Sequence, residues 1–317
     1  MYIQSGALDK NTLGDLRLVM PLFSDAILKA SAPIDELTDY LQFYQLPLAT
    51  NDLQLIAGTT EDHATVVMAW RPTKSLGTAI IVHGYMDHTG LYGHLIRDLL
   101  SRQLTVLCFD AQGHGLSAGA PCSISHFSDY VDQLNDVVAA AQGHLKGPLH
   151  GVGQSMGGAV LLKHLINHNS ARPYPFATLN LLAPLLQPLN WKRSRRLYYL
   201  SRWFTKSIKR VFRDSSWDKE FLDFLRTQDP LQPTRVPTDW VGAMNQWIFE
   251  FERSEANDYP INIIQGNHDK TLDWVYNLEQ FKQRLPSASV TIIEQGNHHL
   301  VNESEPLRTE IFAALKL

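Results

Sequence analysis

The stretch HGVGQSMGGAV, His150–Val160, decides how this chain is read. It sets Ser155 between Gly153 and Gly157 and runs through Gly158 into the apolar segment AVLLKHL. The residues before it, LHGV, have the composition of a short buried strand. Those after it, MGGAVLLKHL, have that of a helix. A serine on so sharp a strand-to-helix turn projects its hydroxyl above the sheet edge, and only small residues two positions to either side let the neighbouring backbone pass. The helix that starts there brings free amide N–H groups and a positive dipole end, which favour negative charge nearby. A plain turn could carry the same G-x-S-x-G spacing, but the flanking strand and helix point to an activated serine.

Outward from this turn, the chain alternates strands and helices. LQLIAGTT (53–60) and HATVVMAW (63–70) are β-rich runs separated by Glu61-Asp62, the pattern of a hairpin or of two edge strands. TAIIVHG (78–84) is a continuous apolar run ending in glycine, as expected of a buried parallel strand, and LTVLCFD (104–110), LHGVGQS (149–155), ATLNLLAP (177–184), INIIQG (261–266) and SVTIIEQ (289–295) read as further strands. Helices are expected over 91–102, about 126–144, from Met156, over 272–284 and at the C-terminal end. This alternation predicts an α/β fold with a doubly wound, mostly parallel sheet. Residues 185–258 interrupt it. They are rich in Arg, Trp and Phe, carry prolines at 230, 233 and 237, and are too long for a connection, so they read as an inserted helical cap, or lid. Residues 1–52 read as helices packed on a core formed by 53–184 and 259–317.

A serine hydroxyl needs a base, and the base needs an orienting acid. In a sheet of this kind both follow the serine, each after a later strand and the acid first. After INIIQG comes NHDKTLDW, which offers Asp269; after SVTIIEQ comes GNHHLVNE, which offers His298 and His299. Asp269 could instead cap the next helix, and His268 and Asp273 are rivals for its place, Asp273 lying a turn into that helix. Negative charge developing on a carbonyl oxygen needs two preorganised N–H donors. The Met156 amide, just after the serine, is one candidate. The loop HGYMDHTG (83–90) supplies the other at Tyr85, with His83 as a supporting residue and Gly84 allowing close backbone approach.

The series HGYMDHTGLY (83–92), DAQGHGLSAG (110–119), GQSMGG (153–158), GNHD (266–269) and HHLVNE (298–303) resembles the α/β-hydrolase superfamily. More narrowly it resembles the group containing monoacylglycerol lipases, bacterial lysophospholipases and serine aminopeptidase S33 domains. The resemblance spans about 53–317 and implies an eight-stranded sheet, a triad of Ser155, Asp269 and His298, and oxyanion donors at Tyr85 and Met156. Two departures stand out. Gln154 occupies the place where His is commonest in that group. The glycine of the last motif is shifted by one, so counting from Gly296 selects His299 as an alternative base, whereas the ungapped match through LVNE selects His298.

Composition narrows the class. The 317 residues are 44% apolar and 19% charged, with 28 Lys+Arg against 32 Asp+Glu. Such a chain forms a globular core rather than a disordered or fibrous one. Its two cysteines, Cys108 and Cys122, make no disulfide framework. The first residues lack the pattern of a secretory leader, and no apolar run approaches a membrane span, so the expected location is cytoplasmic. No P-loop, dinucleotide fingerprint or HExxH motif is present, and the thirteen histidines show no metal-ligand spacing, so the chemistry calls for no cofactor and no metal.

Residues 191–213 hold nine Lys/Arg and no Asp/Glu, which leaves 19 basic against 32 acidic residues elsewhere. Leu197, Leu200, Phe204, Ile208 and Val211 recur at helical spacing, with Arg202, Lys206, Lys209 and Arg213 mostly off that face. This describes a basic amphipathic helix, packed on the core or lying against an anionic membrane surface. The acidic body argues against a nucleic-acid partner. The expected function is hydrolysis of a lipid-type ester, a lysophospholipid or monoacylglycerol. A proline-releasing aminopeptidase and a non-catalytic binding protein of the same fold are the other readings.

Overall fold

A computed structural model describes residue 8 and residues 10–29, 35–62, 64–141, 143–168 and 171–317. The sequence limits placed at His63 and within 142–144 fall partly on positions outside these residues, as do parts of 1–52. The strands are β1 Leu53–Thr59, β2 Val66–Pro72, β3 Gly77–Val82, β4 Leu104–Phe109, β5 Leu149–Gln154, β6 Phe176–Leu182, β7 Ser207–Lys209, β8 Arg235–Pro237, β9 Ile261–Gly266 and β10 Ser289–Ile293. The helices are α1 Lys10–Val19, α2 Phe23–Lys29, α3 Asp35–Phe43, α4 Gly93–Ser101, α5 Phe127–Ala141, α6 Met156–Ile166, α7 Trp191–Ser201, α8 Lys219–Thr227, α9 Thr238–Arg253, α10 Trp274–Arg284 and α11 Leu307–Ala313.

Eight strands form one sheet in the order β1-β2-β4-β3-β5-β6-β9-β10. β2 runs antiparallel to both neighbours and every other pair is parallel. This is the expected α/β-hydrolase sheet, with β1 and β2 as the hairpin. The central strands β3 and β4 are buried along their whole length because helices cover both faces, whereas the edge strand β10 leaves Val290 and Ile292 exposed. In β3, Ile80 and Val82 enter the layer formed with α5, α6 and α10, whereas Ala79 and Ile81 enter the layer formed with α1, α3, α4 and α11. From β3 the chain steps to β4 on one side and later to β5 on the other. The crevice at such a reversal of strand order, at the carboxyl ends of the strands, is where an open α/β sheet can hold a ligand.

Between β6 and β9 the insertion contributes α7, the ribbon β7–β8, α8 and α9. Helix α9 packs into the sheet-flanking layer itself: Trp247 stacks on Phe127 at 5.9 Å, and Phe251 meets Phe281 edge-on.

The structure corrects one expectation. The apolar positions from Leu197 to Val211 do not form one helix face. α7 ends at Ser201, and Ser207–Lys209 pair with Arg235–Pro237 as a two-stranded ribbon. The run Trp203-Phe204-Thr205 has low helix propensity, and the ribbon offers Ile208 a cross-strand partner in Val236. The apolar side chains are not packed on the core either: Leu200 is 75% exposed, Trp203 76% and Phe204 88%.

Candidate active site

The loops after β3, β5, β9 and β10 meet at the carboxyl edge of the sheet. Ser155 follows β5 directly, with φ +51° and ψ −110°. That strained conformation is held from both sides. The Ser155 amide donates to the Leu182 carbonyl (2.8 Å), and the Leu185 amide donates to the Ser155 carbonyl (2.9 Å). Glycine at 153 and 157 is a steric requirement. A Cβ on Gly157 would sit 1.8 Å from the Val82 carbonyl oxygen, and one on Gly153 would sit 2.5 Å from the Gly157 backbone.

His298, after β10, places Nε2 3.0 Å from Ser155 Oγ, where it can accept the hydroxyl proton. Its Nδ1–H donates to Asp269 Oδ2 at 2.8 Å. Asp269, after β9, is anchored in turn, since Oδ1 accepts the amides of Thr271 (2.7 Å) and Leu272 (3.0 Å). Burial pushes the Asp269 pKa up, but His298 and these amides outweigh it and hold the carboxyl below its ordinary value. The structure therefore brings together Ser155, His298 and Asp269.

It places the rivals elsewhere. His299 turns away from the serine, with Nε2 3.1 Å from Asp87 Oδ2. His268 stacks on Trp217, and Asp273 caps α10 by accepting from the Tyr276 amide.

The two backbone donors expected beside the serine are available. Neither the Tyr85 nor the Met156 amide donates to another group among the described residues. The Tyr85 loop is held by its neighbours. His83 accepts the Ala111 amide at Nε2 (2.8 Å) and donates from Nδ1 to the Gly84 carbonyl (2.7 Å). The Gly84 amide donates to the Tyr92 hydroxyl, which donates to Asp87. Buried His83 has a lowered pKa despite the opposing pull of Asp110 and stays neutral, as these two bonds require. The Tyr85 ring stacks on Trp240 of α9 at 3.6 Å.

Gln154 spans the site. Its Nε2 donates 2.8 Å to the carbonyl of His298 and so ties the turn of the serine to the loop of the histidine. This is a direct use of the departure noted at that position.

Other participants carried no assigned role in the sequence. Glu303, fully buried, accepts the amides of Asn297 and Trp217 and fixes the loop of His298 against the insertion. Asp110 accepts the amides of Thr89 and Leu116 and joins the loops after β3 and β4. Asp229, in the insertion, accepts from Tyr44 Oη (2.7 Å), His88 Nε2 (3.1 Å) and Gln232 Nε2 (2.8 Å). Glu303 and Asp110 stand inside the recognised motifs, and that was the available signal. Asp229 lies in a stretch with no pattern.

A cavity of about 390 Å³ opens over Ser155 and His298. Leu185, Leu222, Leu225, Trp240, Met244 and Leu272 supply most of its apolar wall. Residues 185–258 provide five of these six. A concave site with apolar walls and polar groups at its edge suits a small molecule.

The family model for "Serine aminopeptidase, S33" matches residues 73–305. Among curated proteins, human monoglyceride lipase is 34% identical over 119 residues, which cover 37% of this chain and 38% of that enzyme. The match thus spans less than half of the human protein. Phospholipase YtpA of Bacillus subtilis is 26% identical over 257 residues, covering 78% of this chain and 96% of the relative. Among solved structures, a soluble variant of the Saccharomyces cerevisiae monoglyceride lipase superposes with a TM-score of 0.69 at 18% identity, over 84% of this chain and 96% of that one.

Proposed function

Since this chain belongs to the serine aminopeptidase S33 family of α/β-hydrolases, we propose that it is a serine hydrolase of carboxylic esters that cleaves a single-chain lipid ester. The observation that carries this reading is the hydrogen-bonded series Ser155–His298–Asp269 under an apolar cavity. Ser155 Oγ attacks the ester carbonyl while His298 Nε2 takes its proton. Asp269 holds the imidazole in the tautomer with its proton on Nδ1 and stabilises the imidazolium. The amides of Tyr85 and Met156 receive the oxyanion, and each such donor is worth roughly 10²–10³ in rate. The tetrahedral intermediate expels the alcohol, which takes the proton from His298. Water, deprotonated by His298, then attacks the acyl-enzyme and releases the acid and Ser155.

Apolar cavity walls favour an acyl chain over a peptide, and the names of the relatives, lipases and a phospholipase, agree with that preference. The exposed residues between 192 and 209 support docking on an anionic lipid surface. Leu200, Trp203 and Phe204 are exposed beside the exposed cations Lys192, Arg193, Arg195 and Arg196. Aromatic groups that enter the headgroup region next to cations are the chemistry of interfacial binding. Such docking would bring the substrate to the cap.

The test is hydrolysis of long-chain monoacylglycerol and lysophospholipid, a short-chain ester and a prolyl amide by wild type and Ser155→Ala, with fluorophosphonate labelling of both. The expected result is preference for lipid esters and wild-type labelling, with kcat reduced by on the order of 10⁴-fold or more in Ser155→Ala. Prolyl-amide turnover above ester turnover, or no labelling of the wild type, would overturn the proposal.

A further inference from the structure

Arg210 is the exception in the basic segment. Of the nine cations in 191–213, eight are exposed, and Arg210 alone is drawn inward. It follows β7, its amide donates to the Thr234 carbonyl at 2.9 Å, and its side chain enters the wall of the cavity that Ser155 and His298 line. Its guanidinium lies 4.4 Å over the Phe212 ring. Nη1 donates to Gln232 Oε1 (2.6 Å) and to the Pro233 carbonyl (3.3 Å). Both acceptors are neutral. Nε and Nη2 donate to no group among the described residues.

A sequestered guanidinium normally has a carboxylate partner, because leaving the charge unpaired in a dry site is costly. Here the nearby acids are engaged. Asp87 accepts the Tyr92 hydroxyl and faces His299, and Asp229 accepts from Tyr44, His88 and Gln232. The other charged residues of the wall add to the imbalance: Lys209, Arg213 and Arg226 stand against Asp87, and Arg226 is paired with Asp214 outside the cavity. The catalytic cavity thus holds a half-buried cation with free donors beside an apolar wall. A planar guanidinium whose Nε/Nη2 edge is unused matches two oxygens of a phosphate.

We propose that Arg210 is the headgroup-recognising residue of this site, and that it selects a substrate whose ester-bearing glycerol also carries a phosphate, a lysophospholipid, over a neutral monoacylglycerol. This rests on the esterase reading above and names its substrate class. The acyl chain occupies the apolar wall of the cavity, and the phosphate replaces the missing carboxylate partner of Arg210.

The experiment compares kcat/KM on lysophosphatidate, lysophosphatidylcholine and monoacylglycerol with the same acyl chain, for wild type, Arg210→Gln and Arg210→Lys. Glycerol 3-phosphate and glycerol serve as competitors against a short neutral ester. Wild type is expected to prefer the phosphate-bearing substrates. Arg210→Gln is expected to reduce the lysophospholipid-to-monoacylglycerol ratio of kcat/KM by about 10- to 100-fold, the range for a charge-assisted bond, mainly through KM. Arg210→Lys is expected to recover part of the ratio, because it restores the charge but not the fork. Glycerol 3-phosphate, and not glycerol, should compete with the wild type, and its potency should fall at least tenfold in Arg210→Gln.

An equal loss on all three lipids would mean that Arg210 only shapes the cap and would overturn the proposal. An unchanged ratio, or equal competition by glycerol, would do the same. Each of these outcomes leaves the esterase reading intact, because ester turnover by the wild type and its loss in Ser155→Ala are measured in the same assays. Absence of all ester turnover would instead remove the esterase reading, and the substrate assignment with it.

Discussion

Ser155 is held at positive φ by bonds on both sides, and its hydroxyl meets His298. Strain of this kind persists only where the surroundings over-determine it. The adjacent histidines make the clearest test at this scale. His298 touches Ser155 and Asp269, whereas His299 faces Asp87. In ester hydrolysis, His298→Gln is expected to reduce kcat by on the order of 10⁴-fold or more, and His299→Gln by roughly tenfold or less. The reverse order would make His299 the base. From the neighbouring residues, the ungapped match through LVNE selects His298 and the spacing from Gly296 selects His299. Both histidines follow the same strand, and in the fold it is His298 that meets Asp269 across the sheet edge, 29 residues away in sequence.

At the scale of elements, the insertion and the N-terminal segment are tied to the core by one buried cluster. Asp229 receives Tyr44 from the turn after α3 and His88 from the loop after β3. Burial pulls the His88 pKa down, but Asp229 outweighs it and the net shift is upward. Asp229 itself is lowered, His88 outweighing its own burial. A raised histidine contributes stability that is fully present below its unfolded value of about 6.5 and is lost as pH rises through its folded value. A lowered carboxylate contributes above its unfolded value of about 3.9 and loses that contribution as pH falls through its folded value. Asp229→Asn is therefore expected to cost roughly 3 kcal/mol near pH 6. The difference in melting temperature between it and the wild type should shrink toward pH 9. A difference that does not vary with pH would show that packing, and not the ion pair, holds the cluster.

For the whole molecule, the buried histidines determine the response to acid. Burial holds His114 at about 3 and His164 and His94 at about 4, and it lowers His83 and His150 as well; among the described histidines, His88 is shifted the other way. Each lowered histidine is neutral in the fold and takes up a proton on unfolding. The stability it contributes is present above about 6.5 and is lost as pH falls from there toward the folded value. The melting temperature is expected to decline from about pH 6.5 downward, before Asp87, Asp229 and Asp269 begin to protonate. Calorimetry or dye-monitored melting across pH 4–8 checks this, and His114→Gln should flatten part of the slope. A constant melting temperature between pH 7 and 4.5 would contradict it.

By itself the sequence determined the sheet, the turn of Ser155, and Asp269 and His298 as candidates. Apolar runs bounded by glycine, and strands alternating with helices, are signals carried by neighbouring residues, so they are legible without the fold. Tertiary structure decided which histidine meets the serine, where α7 stops, and that Arg210 turns into the cavity while eight cations beside it face outward. It also decided that Tyr44 and Asp229, 185 residues apart, share a bond. Helical projection put the residues around Arg210 on a face that does not exist, because pairing between Ser207–Lys209 and Arg235–Pro237 overrides the local periodicity. Contacts of that kind depend on which distant strands and loops the packed sheet brings together, and no local pattern encodes them.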